Sequence, residues 1–125
     1  MDIIISNSSA KPIYEQISTQ IKELILTGGL SEGERLPSIR ALASDLRVSV
    51  ITTQRAYEDL EGQGFIDTVQ GKGSYVAGGN AEIIREERLR EVEALLGQAI
   101  AKARSTGLAD DRLHDMLTLL QESED

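Results

Sequence analysis

Two serines, a glycine-rich turn and the apolar residues around them constrain the fold of this chain more than any other feature. Ser38 and Ser49 each precede a short stretch with helical periodicity, and serine is a favoured N-cap residue. Further along, Gln70-Gly71-Lys72-Gly73 separates two short runs of strand-forming residues, which is typical of a hairpin. A helix, a turn, a second helix and a hairpin in this order predict a winged helix-turn-helix, in an α+β fold that is mainly α.

The remaining elements follow from helix and strand signals on either side of these motifs. Pro12 opens the first helix and Gly28-Gly29 ends it, while Arg35-Leu36 is expected to be extended because a residue before proline disfavours the α region. The other predicted elements are helices over 39–46 and from Ser49 to about Gln63, strands over 65–69 and 74–76, a long helix over 81–105, and a last helix from Asp110 or Asp111.

Composition divides the chain into three regions. Residues 1–10 are polar after Ile5, which predicts an N-terminal arm or a frayed start. Residues 11–78 hold the winged helix-turn-helix, and Gly78-Gly79-Asn80 is a break before a helical region over 81–125.

The helical region carries an apolar face. Its residues recur at helical spacing, and they are Leu89, Val92, Leu95, Leu96, Ala99, Ile100 and Ala103, followed by Leu113, Met116, Leu117 and Leu120. Two such helices cannot bury both faces on each other alone, so they must pack on the winged helix or on a second subunit. We interpret the region as a short C-terminal helical dimerisation tail.

The overall composition excludes several classes of protein. Aromatic residues make up only 3% of the chain, so the core must be aliphatic. The absence of cysteine excludes disulfides, thiolate metal sites and cysteine nucleophiles. The first residues lack the basic flank of a signal peptide, and no apolar run approaches the roughly 20 residues that span a bilayer. We therefore expect a soluble cytoplasmic protein without a membrane partner.

The formal net charge of −8 is concentrated in the C-terminal part. Residues 11–79 hold 7 Lys and Arg against 9 Asp and Glu, whereas residues 80–125 hold 6 against 11. A nearly neutral module can still bind a polyanion when its cations share one face, because phosphate contacts are local and charges are screened beyond about 10 Å. The net charge therefore does not exclude a nucleic-acid partner.

From Pro12 to Val76 the chain resembles the DNA-binding domain of the GntR family of bacterial transcription regulators. The motifs that carry the resemblance are Pro12-Ile13-Tyr14-Glu15-Gln16-Ile17, Gly33-Glu34-Arg35-Leu36-Pro37-Ser38-Ile39-Arg40, Leu42-Ala43, Val48-Ser49, Thr52, Arg55-Ala56-Tyr57, Leu60, Gly64-Phe65-Ile66 and Gly71-Lys72-Gly73-Ser74-Tyr75-Val76. The segment after Asn80 resembles the YtrA subfamily, whose members carry a short helical dimerisation tail instead of a large effector-binding or aminotransferase domain.

The resemblance implies contacts with double-stranded DNA from two helices and the hairpin. The family's arginine at the position of Arg40 contacts DNA, Arg35 is placed to reach phosphate, and Lys72 is placed to reach the backbone or the minor groove. The predicted contact residues are Arg35, Arg40, Ser49, Val50, Thr52, Gln54, Arg55, Gly71, Lys72 and Gly73.

Several of these residues have a second reading. Ser49 is expected both to cap the third helix and to contact DNA. Thr52 and Gln54 either contact the major groove from the first turns of that helix or face solvent. Arg55 either reaches phosphate or braces the second helix.

One position departs from the family pattern. Many relatives carry arginine directly after the Val-Ser pair that begins the recognition helix, whereas this chain has Val50 followed by Ile51. A cation for a base or a phosphate is missing there, and the apolar side chains could instead contact thymine methyl groups. The departure leaves the operator sequence open.

No pattern of catalytic or metal-binding residues competes with DNA binding. The only histidine, His114, lies among Asp110, Asp111 and Asp115, and one histidine without a second soft ligand is better read as a solvated side chain than as a metal ligand. The glycines do not form a phosphate loop, and no Ser-His-Asp or paired-carboxylate arrangement is visible. We expect no enzyme activity, no cofactor and no metal.

These observations lead to two hypotheses from different classes. The first is a homodimeric repressor that binds an inverted-repeat operator, and the YtrA-like resemblance implies an ABC-transporter operon as its target. The alternative is a winged-helix protein-interaction module that does not bind DNA. An unidentified small-molecule effector would have to bind between the tail and the winged helix or at the dimer interface.

Overall fold

The computed structural model describes residues 1–123, and for Asn80 and Ala81 it describes the backbone alone. These residues form two compact units, one over Met1–Ile84 and one that begins at Arg85. The elements in chain order are α1 Ile13–Leu26, α2 Ile39–Leu46, α3 Val50–Gly62, β1 Ile66–Val69, β2 Gly73–Val76, α4 Asn80–Ser105 and α5 Asp110–Ser123. Their order and type confirm the predicted winged helix-turn-helix with C-terminal helices. Residues 124 and 125 of the predicted tail lie outside the described residues.

The core of the first unit lies where α1 packs against α3. Ile17 and Ile21 of α1 and Leu60 of α3 are completely buried. Their spacing of one helical turn places them on one face, and each contributes about 1.5–3 kcal/mol to stability by leaving water. Leu42 of α2 and Ile66 of β1 join the same cluster. The core is thus mainly aliphatic, as the low aromatic content requires.

A tight turn joins α2 to α3 and sets their mutual orientation. The Ser38 hydroxyl accepts a hydrogen bond from the Ala41 N–H at 3.1 Å, and the Ser49 hydroxyl accepts one from the Thr52 N–H at 3.0 Å. Both predicted N-caps are therefore confirmed. Between the helices, Arg47 adopts a left-handed conformation with φ 58°, which costs an L-residue about 1–2 kcal/mol. The packing of α2 on α3 offsets this cost.

The wing is a hairpin to which a third segment is added. β1 and β2 pair in antiparallel register, with Ile66 opposite Val76. Residues 34–36 run along the other edge of β2, where the Leu36 N–H donates to the Ser74 carbonyl at 2.9 Å. The predicted extended conformation of Arg35-Leu36 is confirmed, and the pairing attaches Arg35 to the wing.

The N-terminal segment is fixed at its first half. Ile3 lies in the core, and the Gln20 side chain bonds both to the Ile4 N–H at 2.9 Å and to its carbonyl at 2.7 Å. Gln16 makes the same pair of bonds with the Ser6 backbone, at 2.9 and 3.0 Å. The prediction of a frayed start is therefore wrong for residues 3–6, because two glutamines of α1 satisfy their backbone.

The second unit consists of most of α4 and of α5. The first unit ends inside α4, since Ile84 still packs on the core of the winged helix, whereas the sequence had suggested a boundary at residues 78–80. The turn between the helices is closed by the Leu108 N–H, which donates to the Ala103 carbonyl at 2.9 Å. The Arg104 guanidinium pairs with the Asp110 carboxylate at 3.1 Å, and both side chains are exposed.

Helices of the length and hydropathy that crossing a bilayer requires are not found among the described residues.

Candidate nucleic-acid interface

An open groove of about 380 Å³ lies between the start of α2 and the wing. Three cationic side chains, Arg35, Arg40 and Lys72, line it, and within residues 1–123 no carboxylate does. The other lining residues are Pro37, Ser38, Ile39, Tyr57, Thr68, Val69, Gln70, Gly71, Gly73 and Ser74. The structure thus collects basic residues from two separate parts of the sequence, residues 35–40 and the wing, into one positive surface, despite the acidic net charge.

Gly73 allows Arg35 to lie flat against the wing. A Cβ at Gly73 would stand 3.0 Å from the Arg35 Nε, and the residue has φ +118°, which L side chains rarely adopt. The predicted contact residue Gly71 has φ +79° and faces open space, so its role is to form the tip. The two glycines therefore serve different ends, and only Gly73 positions a cation.

Tyr57 ties the recognition helix to the loop that precedes α2. Its side chain is buried, and its hydroxyl donates a hydrogen bond to the Pro37 carbonyl at 2.7 Å. Burial raises the pKa of Tyr57 to about 12, because the phenolate would lose its hydration. The bond connects α3 with the loop that leads into α2, so it helps set the position of α2 against α3.

We expect Tyr57→Phe to weaken folding by about 1 kcal/mol, since a net hydrogen bond is lost. The pH dependence should also change. The folded state holds the phenol proton more tightly than the unfolded chain, so wild-type stability should be full below pH 10 and should fall as pH rises toward about 12. Between pH 10 and about 12, the free energy of unfolding measured with denaturant should decline less for Tyr57→Phe than for the wild type. An equal decline would show that Tyr57 does not cause the loss of stability.

The first turn of α3 carries hydroxyls that already have hydrogen-bond partners and apolar side chains that are exposed. The Ser49 hydroxyl donates to the Thr52 Oγ1 at 2.7 Å while it caps the helix, so both hydroxyls already have partners. The Gln54 side-chain amide donates to Glu58 at 3.1 Å and is exposed. Val50 and Ile51 stand exposed beside them.

Arg55 makes a contact that was not among the two predicted roles, which were binding phosphate and bracing α2. Its guanidinium lies 3.9 Å from the centre of the Tyr14 ring, on α1. This cation–π contact links α3 to α1, not to α2. The arginine remains exposed, so the contact orients it without burying its charge.

The residues predicted to form a dimer face are exposed in the single chain, with two exceptions. Those exposed are Leu89, Val92, Leu95, Leu96, Ala99, Ile100, Met116, Leu117 and Leu120. Leu113 is half-buried, and Ala103 is buried beside the turn between α4 and α5. Ala103 therefore contributes to its own unit and is removed from the predicted face. Around His114, the described residues bring together no set of three metal-binding groups.

The residues of the groove, of α3 and of the wing all lie in one continuous segment of the chain, and a known protein family shares this segment. The family model for bacterial regulatory proteins of the gntR family matches residues 13–76, from the start of α1 to the end of β2. The chain belongs to the GntR family. As a member, it is a transcriptional regulator with a DNA-binding domain, and the proteins that it resembles are regulators, not enzymes.

The similarity to YtrA proteins extends beyond the winged helix. The HTH-type transcriptional repressor YtrA of Bacillus subtilis (strain 168) is 36% identical over 115 residues, which are 92% of this chain and 88% of that protein. The structure of YtrA from Sulfolobus acidocaldarius, a GntR-family transcription factor, is 40% identical with a TM-score of 0.62, over 79% of this chain and 97% of that one. The predicted GntR and YtrA-like resemblance is confirmed.

A further solved structure contains DNA. The DNA-binding domain of AraR, in complex with operator ORX1, has a TM-score of 0.55 and 28% identity, over 62% of this chain and 96% of that chain. The same architecture as that of the first unit is thus known on an operator duplex.

Proposed function

We propose that this regulator is a homodimeric repressor that binds an inverted-repeat operator in the cytoplasm and blocks transcription by occupying a promoter. The observation that carries the proposal is the groove lined by Arg35, Arg40 and Lys72, to which the described part of the chain contributes no carboxylate. Three cations on one concave surface favour a polyanionic partner such as a duplex over a neutral partner.

Within this proposal the contacts divide into two kinds. Arg35, Arg40 and Lys72 bind phosphates and fix the register of the protein on the duplex, while the first turns of α3 enter the major groove and contact base edges. Gln54 is the polar side chain best suited to base contact there, because an amide can pair with adenine through two hydrogen bonds.

The helical unit supplies the homodimer. Nine of the apolar side chains predicted for the dimer face are exposed in the single chain. Among the large ones, exposure runs from 38% at Ile100 to 64% at Leu95, which is unusual for helices that stay solvated. A second copy would cover them. A two-fold dimer presents its two recognition helices in inverted orientation, so the operator should be an inverted repeat.

The proposals of repression and of its target rest on similarity to relatives. The similarity to the repressor YtrA over 92% of this chain supports a repressor. The YtrA-like resemblance extends the proposal to an ABC-transporter operon. A small-molecule effector at the dimer interface would act by changing the separation of the two recognition helices.

Selection of duplexes from a randomised library with the full-length protein tests the proposal. We expect enrichment of an inverted repeat whose half-site centres lie about 34–36 Å, or a multiple of this, apart. Affinity for the selected duplex should fall steeply with added salt. The purified protein would be tested with and without candidate small-molecule effectors. If it enriches no duplex in either case, the winged helix would be a protein-interaction module instead.

A further inference from the structure

Two adjacent aliphatic side chains stand uncovered on the first turn of α3. Ile51 is 79% exposed and Val50 is 41% exposed. Both are branched at Cβ, which restricts them to few rotamers in a helix, so their methyl groups point in fixed directions. A single exposed aliphatic residue needs no explanation on a protein surface. The surroundings of this pair decide whether it has a role.

The neighbouring polar groups are largely committed to one another. Ser49 bonds to Thr52 through both its hydroxyl proton and its lone pair. The first turn therefore presents carbon more than free donors or acceptors to whatever approaches it.

Cations lie close to this apolar pair in the sequence, and others lie on α2, which packs on α3, and on the wing. Arg47 is exposed at the turn just before α3, and Arg40 and Lys72 line the groove beside α2, which packs on α3. A partner that fits must be anionic at its edges and apolar at its centre. The major groove of DNA has this character where thymine presents its 5-methyl group between two phosphate strands.

We propose that Ile51, together with Val50, recognises thymine through its 5-methyl group, so that each operator half-site carries thymine where the first turn of α3 enters the major groove. The inference rests on the proposed DNA binding and adds to it the base that the helix selects. Ile51 is then a specificity-determining residue that reads bases without a hydrogen bond.

Substitution of deoxyuridine for thymine isolates this contact, because uracil keeps every hydrogen-bonding group and lacks only the methyl. In the best duplex selected by the full-length protein, each half-site thymine would be replaced in turn and the affinity measured. We expect the contacted positions to lose about fourfold in affinity, the effect of moving one methyl-sized group back into water. Positions outside the contact should lose nothing.

Two variants complete the test. Ile51→Ala should lose most of the preference for the thymine duplex over the uracil duplex, since the more exposed of the two partners of the methyl group is gone. Ile4→Ala is the matched control, because Ile4 is 78% exposed on the N-terminal segment, and it should keep the full thymine preference. Both substitutions lie at exposed side chains and should leave the fold intact.

The outcomes separate the inference from the function on which it rests. Enrichment of a duplex whose affinity is insensitive to uracil would overturn thymine reading and leave DNA binding standing, as would a uracil penalty that persists in full in Ile51→Ala. Failure to enrich any duplex would overturn both proposals together.

Discussion

Replacing Arg40 and Lys72 together with alanine should lower affinity for the selected operator at least about 100-fold. In the proposed complex each side chain makes a charge-assisted bond to phosphate, and such bonds contribute about 1.5–3 kcal/mol. Two of them amount to roughly 3–6 kcal/mol, and each 1.4 kcal/mol corresponds to about a factor of ten in affinity. Fluorescence anisotropy with labelled duplex would measure the loss.

The salt dependence gives a second readout that a general loss of structure would not produce. Each phosphate contact contributes about 0.9 to the slope of log affinity against log salt, so the double variant should lose about 2 from that slope per protomer. The circular dichroism spectrum and melting temperature should stay unchanged, since Arg40 and Lys72 are exposed.

A control of equal charge separates local contact from net charge. Lys11→Ala/Arg112→Ala removes the same two positive charges from exposed positions that do not line the groove. It should change operator affinity by only a few fold, because charges beyond about 10 Å are screened. Equal losses in the two double variants would show that the groove is not the DNA site.

The features that could be predicted from the sequence are local ones. Ser38 and Ser49 predict where their helices begin, because an N-cap hydrogen bond joins residues only three apart in the chain. The wing was equally predictable, since a glycine-rich turn between two strand-forming runs specifies a hairpin within about ten residues. Arg40 and Lys72 could be assigned through the family motifs that surround them, although nothing in composition brings them together.

The features that could not be predicted depend on contacts between distant residues. Ile3 joins the core and Arg55 stacks on Tyr14, and both contacts link segments that have no shared periodicity. The contact between Arg35 and Gly73 likewise forms only because residues 34–36 add to the wing. Ala103 fits a heptad pattern as well as its neighbours do, and its burial follows from the turn between α4 and α5, which spacing alone does not place.

Replacing Leu96 with aspartate should convert the proposed homodimer into monomers. Leu96 lies in the middle of the apolar face of α4 and is 44% exposed in the single chain, so its loss should leave the fold of the protomer intact. Burying a leucine contributes about 1.5–3 kcal/mol, and two-fold symmetry counts each substitution twice. The dimer dissociation constant should therefore rise at least about 100-fold, which sedimentation velocity over a concentration series would detect.

The same variant connects the dimer to DNA recognition. A dimer binds its second half-site intramolecularly, which raises overall affinity by about 10² to 10⁴ without any new contact. Leu96→Asp should lose most of this gain on an inverted repeat and none of its affinity for an isolated half-site. Leu119→Asp is the matched control, because Leu119 is 64% exposed on α5 and lies outside the predicted face. If Leu96→Asp stays dimeric, the two copies associate through another surface, and the inverted repeat would have to be explained by that surface.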